Sequence, residues 1–166
     1  MPRTRTIPDD RVFAAVHALL TESGDKAVSF ASVAEATGLA APTLVQRYSS
    51  RDGMLKAARL ANWAQRAATA EQAIAATSDK GPQALLKALA PISAIELAID
   101  RRDAELLQCA EAWRATVEAA LVMRLGSGPK AREAAALLFA AWQGQALWPA
   151  TGDGGFRLKD AVKRLT

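Results

Sequence analysis

At 166 residues and 51% hydrophobic content, the chain has the material for a buried core without covalent staples. Its net charge of +4 is spread evenly, with eight Lys/Arg against six Asp/Glu in residues 1–60 and thirteen against eleven beyond, so charge permits a polyanionic partner without establishing one. The lone Cys109 excludes an intrachain disulfide and a cysteine-cluster metal site; no run of 18 apolar residues occurs, and Met1 to Asp10 lack the apolar stretch of a signal peptide, so the expected setting is cytoplasmic, without a membrane span.

Thirty-nine alanines, together with leucine, arginine, glutamate and lysine, favour helix throughout, because alanine loses no side-chain entropy on entering one. The expected fold class is all-α. Pro8 suits the opening position of a first helix, with Asp9 and Asp10 complementing its positive end; Val12, Phe13, Val16, Leu19 and Leu20 form one amphipathic face, and Gly24 is a natural stop. Ser29 caps a short second helix that ends at Gly38, a residue suited to the left-handed conformation of a sharp turn. A third helix is expected from Ala41 to about Tyr48, with Leu44 and Tyr48 inward and Thr43, Gln46 and Arg47 outward.

Ser49 and Ser50 cap a fourth helix, with Asp52 in its first turn, and no stop signal appears until Thr77-Ser78-Asp79, so it is either long or broken once. Further helices are expected at about 82–101, 104–125, 130–148 and 157–165, divided by Gly- and Pro-containing turns, with Pro91 kinking or splitting the first of them.

Three short helices in 45 residues, the second and third joined by a three-to-four-residue turn containing glycine, form a helix-turn-helix layout, which presents its third helix to the major groove. Over residues 29–55 the sequence resembles the DNA-binding domain of the TetR family of transcriptional regulators. Val33-Ala34 and Gly38-Leu39 match that family's second helix and turn, Thr43-Leu44 its recognition core, Tyr48 its closing aromatic, and Ser50-Arg51-Asp52 the start of its fourth helix. The resemblance implies a helix-turn-helix domain over residues 1–55 and a helical ligand-sensing and dimerisation domain over 56–166.

It further implies that Ala41, Pro42, Thr43, Gln46, Arg47 and Tyr48 form the DNA-reading helix and that Arg51 meets phosphate beside a helix N-terminus. Two positions depart from the family pattern: Ala40 stands where Ser or Thr caps the recognition helix, and Val45 where a tyrosine binds phosphate. Arg3 and Arg5 precede the first helix in a polar arm that either enters the minor groove or stays solvated.

The resemblance fades over residues 60–125 and returns at Leu138–Leu147 and Leu158–Leu165, which look like the family's dimer-forming helices. Ala136, Ala140 and Gly144 recur every four residues, a smooth stripe that suits either close approach by a second copy or packing within the chain. Trp63, Trp113, Trp142 and Trp148 all lie in the C-terminal region; Cys109, Trp113, Trp142 and Gln143 are candidates to line an apolar ligand pocket.

Sole His17 cannot complete a histidine metal set, and no nucleophile with a base or carboxylate pair stands at a recognisable spacing, so the sequence reads as neither an enzyme nor a cofactor carrier. The expected partners are an operator in double-stranded DNA, a small hydrophobic molecule and a second copy of the chain. The expected function is a repressor released from a palindromic operator by that ligand; the alternative is a dimeric ligand-binding or interaction module of the same fold without specific DNA binding.

Overall fold

A computed structural model describes residues 7–148 and 157–165. The described residues form helices α1 (Asp9–Ser23), α2 (Phe30–Thr37), α3 (Ala41–Tyr48), α4 (Arg51–Ala76), α5 (Pro82–Ala88), α6 (Ala94–Asp100), α7 (Ala104–Leu125), α8 (Gly128–Gln145) and α9 (Leu158–Leu165), with one 3-10 turn at Asp25–Ala27 and no strand among them. The fold class is all-α. No helix among the described residues is long and apolar enough to cross a membrane.

Local chemistry explains most boundaries. Pro8 is the cap residue itself rather than the first helical one, and Gly24 and Gly38 close α1 and α2 at φ +83° and +75°. A reciprocal box opens α2: the Ser29 hydroxyl accepts from the Ser32 amide at 3.1 Å while the Ser32 hydroxyl accepts from the Ser29 amide at 2.9 Å. Ser50 accepts from the Gly53 amide at 2.9 Å to start α4, which runs unbroken for 26 residues, about 39 Å. The span expected at 82–101 is divided in two around Pro91, as a residue without an amide hydrogen requires.

Two apolar clusters fill the interior. The first joins Val12, Val16 and Leu20 of α1, Val33 of α2, Leu44 of α3, and Met54, Leu55 and Ala58 of α4, with Ile99 of α6. The second joins Trp63, Ala70 and Ala73 of α4 to Leu85 and Leu86 of α5, one face of α7, and Leu138, Phe139 and Trp142 of α8. α4 lines both, so the division expected between residues 55 and 56 falls inside a continuous helix.

Between the clusters lies a buried ionic clasp. Arg59 of α4 donates to both carboxylate oxygens of Asp100, at 2.9 and 2.7 Å, and to Glu96 at 2.6 Å. Trp63 Nε1 donates to Asp100 at 2.9 Å, while Asn62, Ser93 and Arg66 donate to Glu96. Burial pushes the Glu96 carboxyl up, but Arg59, the Ser93 hydrogen bonds and Arg66 outweigh it and hold the carboxyl below its ordinary value. The clasp fixes α6 against α4, and Ile95 and Ile99 of that same α6 pack on the first cluster.

Candidate functional site

The turn Gly38-Leu39-Ala40 carries the chain from α2 into α3, whose placement depends on two inward side chains. Leu44 is wholly buried, and Tyr48 packs on Phe13 of α1 with ring centroids 6.1 Å apart. The Tyr48 hydroxyl donates to Asp9 at the start of α1. Burial, then the hydrogen bond to Asp9 and the charge of Asp9, push the phenol up to about 12, against a smaller opposing effect of Arg47. Asp9, expected only to complement the α1 helix end, therefore anchors the far end of α3.

Ala40 gives α3 no side-chain cap, and Pro42 in the first turn lacks an amide hydrogen that no helical carbonyl would have accepted. Pro42, Val45 and Gln46 are exposed, with Val45 at 45%, and Ala41 and Thr43 are half-buried beside them. Two side chains differ from expectation. Arg47 was expected outward with Thr43 and Gln46; instead it reaches back over the start of α1 and donates to the Ile7 carbonyl at 2.7 Å and to Asp9 at 3.4 Å. Arg51, expected at phosphate, donates through Nε to the Val28 carbonyl at 2.8 Å, through one terminal nitrogen to Asp52 at 2.9 Å, and through the other to both the carbonyl and carboxylate of Asp25. Asp52 and Asp25 offset its charge, and Asp25 with the Val28 carbonyl ties the α4 start to the turn before α2. Arg3 and Arg5 lie outside the described residues.

The candidate ligand residues are not gathered into one pocket. Trp113 and Trp142 belong to an aromatic cluster with Trp63 and Phe139, with centroid separations between 5.7 and 6.4 Å. Cys109 and Trp113 line a groove of about 290 Å3 between α4 and α7, with Leu60, Trp63 and Ala67. Gln143 lies elsewhere, in a groove of about 450 Å3 bordered by α6, α7 and α8. Its amide is engaged by the backbone before α6: Oε1 accepts from the Ile92 amide at 3.0 Å, and Nε2 donates to the Ile92 carbonyl.

Along α8, Ala140 is exposed and Ala136 and Gly144 are half-buried. Leu137 on the same helix is 53% exposed, and Leu147 and Trp148, in the turn that follows it, are 50% and 68% exposed, so the C-terminal half of α8 and that turn present apolar surface. α9 packs on the second cluster through Leu158, Ala161, Val162 and Leu165. His17 is half-exposed, with Nδ1 3.9 Å from Glu96.

Sequence reasoning missed the clasp and Gly53. A Cβ on Gly53 would lie 2.4 Å from the Tyr48 carbonyl oxygen, so the absence of a side chain there is what lets α4 begin tight against the end of α3. In comparison with known proteins, no family model matches the chain and no curated protein matches it.

Proposed function

We propose that the chain is a ligand-responsive, DNA-binding regulator of transcription that sets α3 of two copies in successive major grooves of a palindromic operator and is released by a small hydrophobic molecule. One observation carries the reading. Joined to α2 by a three-residue turn, α3 is anchored on one side by Leu44 and Tyr48 and leaves Gln46 exposed on the other, with Thr43 at its flank. A glutamine amide offers both donor and acceptor to an adenine edge. In this reading Arg47 and Arg51 position α3 and α4 through carboxylates of the chain, and the arm bearing Arg3 and Arg5 follows the minor groove.

The two copies would meet through the C-terminal half of α8 and the turn after it, where Ala136, Ala140 and Gly144 permit close approach, and the ligand would enter a groove beside the second cluster. Selection of bound duplexes from a random-sequence pool tests this reading. Enrichment of a two-fold symmetric sequence supports it; a pool that stays random rejects it.

A second reading, a dimeric ligand-binding or interaction module without specific DNA binding, is favoured by exposed Val45 in place of a phosphate-binding side chain and by the internal pairing of Arg47 and Arg51. It predicts that the random pool yields no preferred sequence.

A further inference from the structure

A groove selects its occupant through the atoms it leaves accessible. Between α4 and α7, Leu60, Ala64 and Ala67 of α4 and Ala112 of α7 form apolar walls, with the buried Trp63 and Trp113 beneath them. At about 290 Å3 this groove lies at the small end of ligand pockets, which run from roughly 300 to 1,000 Å3.

The polar atoms on its rim are acceptors. Glu71 is the one charged residue in the lining among the described residues, and it is exposed. Its neighbours one turn away on α4 are Ala67, Ala68, Ile74 and Ala75, so no cation on that helix offsets it, and no Lys or Arg lines the groove from α7. The exposed Thr116 hydroxyl donates to the Ala112 carbonyl at 3.0 Å, which leaves its oxygen only lone pairs to offer. Donors are scarce: the Trp63 indole N–H is taken by Asp100, that of Trp113 is buried, and the Cys109 thiol is at most a weak donor.

Two larger cavities differ. Beside the start of α4, a cleft of about 390 Å3 carries Arg51, Lys56 and Arg102 together with Asp25, Asp52 and Asp103, all of them ion-paired, so it shows no uncompensated charge. The groove bordered by α6, α7 and α8 shares Ala140, Gly144 and Leu147 with the surface assigned to the second copy. No residue of α8 lines the groove between α4 and α7, which stays open when two copies meet there.

We propose that the groove between α4 and α7 binds a small organic cation, its apolar body against Leu60, Ala64, Ala67 and Ala112 and its protonated amine toward Glu71. An anion meets a carboxylate there with no cation beside it, and a neutral molecule gains the apolar contact alone. Glu71 is solvated, so charge adds modestly, as it does in exposed ion pairs. This is the groove given to the ligand of the proposed regulator, and its regulatory consequence rests on that reading; binding itself requires no DNA.

The test is a calorimetric titration of the full-length chain at low ionic strength with naphthylethylamine, naphthylethanol and naphthylacetate, which share one aromatic body and differ in the charge of the head. The amine is expected to bind roughly twofold to fivefold tighter than the alcohol, and the acetate more weakly than either. Added salt should shrink the advantage of the amine by screening and leave that of the alcohol in place. Glu71→Gln, at an exposed position, should make amine and alcohol bind alike with the alcohol unchanged. Ala67→Phe fills the groove from an exposed position and should weaken all three probes severalfold. The proposal is overturned by acetate binding as tightly as amine, by an amine preference that survives Glu71→Gln, by full affinity in Ala67→Phe, or by no binding of any probe. Should the amine bind as described while no duplex is ever selected, the groove stands and the regulator reading fails. Should no probe bind while a symmetric duplex is enriched, the groove fails and the DNA reading stands.

Discussion

Gly53 and Tyr48 meet where α3 hands over to α4, and each makes a separate demand on the chain. Alanine in place of an exposed helical glycine ordinarily stabilises by about 1 kcal/mol. At Gly53 the added methyl would sit 2.4 Å from a backbone oxygen, an overpacking that costs roughly 1–3 kcal/mol and reverses the sign. Thermal unfolding of Gly53→Ala should therefore show a lower midpoint than wild type, and a higher one would refute the close approach.

Tyr48 is the sole tyrosine, so its ionisation can be followed directly by ultraviolet absorbance. Its midpoint should lie near 12 rather than 10, and Asp9→Asn should lower it by removing the negative charge beside the phenol and leaving a weaker, neutral acceptor. Because the folded state holds this proton more tightly than the unfolded chain does, the associated stability is complete below pH 10 and disappears between 10 and about 12. A midpoint of 10 in the folded protein would contradict the Tyr48–Asp9 anchor.

Among the elements, α4 and α6 carry the connection between the two apolar clusters. Arg59 is nearly inaccessible and bidentate to Asp100, so removing it leaves two carboxylates buried without their main partner. Arg59→Met should cost about 3–5 kcal/mol in a denaturant titration. A loss below 1 kcal/mol would mean the clasp is solvated. Glu96 is held below its ordinary value, so its stabilising effect is present above pH 4.5 and lost as pH falls through the lower folded-state value. In Glu96→Gln that part of the acid transition should vanish; an identical acid profile would show that other groups govern it.

The helices were legible in sequence because their ends are marked locally: Ser29, Gly38, Ser50 and Pro91 act within a few residues of where they stand. The clasp was not, since Arg59 reaches partners 37 and 41 residues away and nothing nearby distinguishes a buried aspartate from one on a wet helix face. The directions of Arg47 and Arg51 were hidden for the same reason. Helical spacing places each on an outer surface, and only the arrival of Asp9 and Asp25 from the α1 region turns them inward.

The whole molecule joins an exposed α3 face, two clusters bridged by α4, and apolar surface at the C-terminal half of α8 and the turn after it. If that last surface joins two copies, light scattering should give twice the 17.6 kDa chain mass, and Ala140→Arg, which would bury an unpaired charge in the contact, should give monomers. Persistence of the dimer in this variant would place the contact elsewhere.

If α3 reads DNA sequence as proposed, the most direct test is a titration of wild type and Gln46→Ala against the selected duplex and a scrambled duplex at one fixed salt concentration. Wild type should prefer the selected duplex by about a thousandfold or more. Gln46→Ala should lose about 1–3 kcal/mol on the selected duplex and leave the scrambled one unchanged. Equal affinity of wild type for the two duplexes, or an equal loss on both in Gln46→Ala, would contradict it.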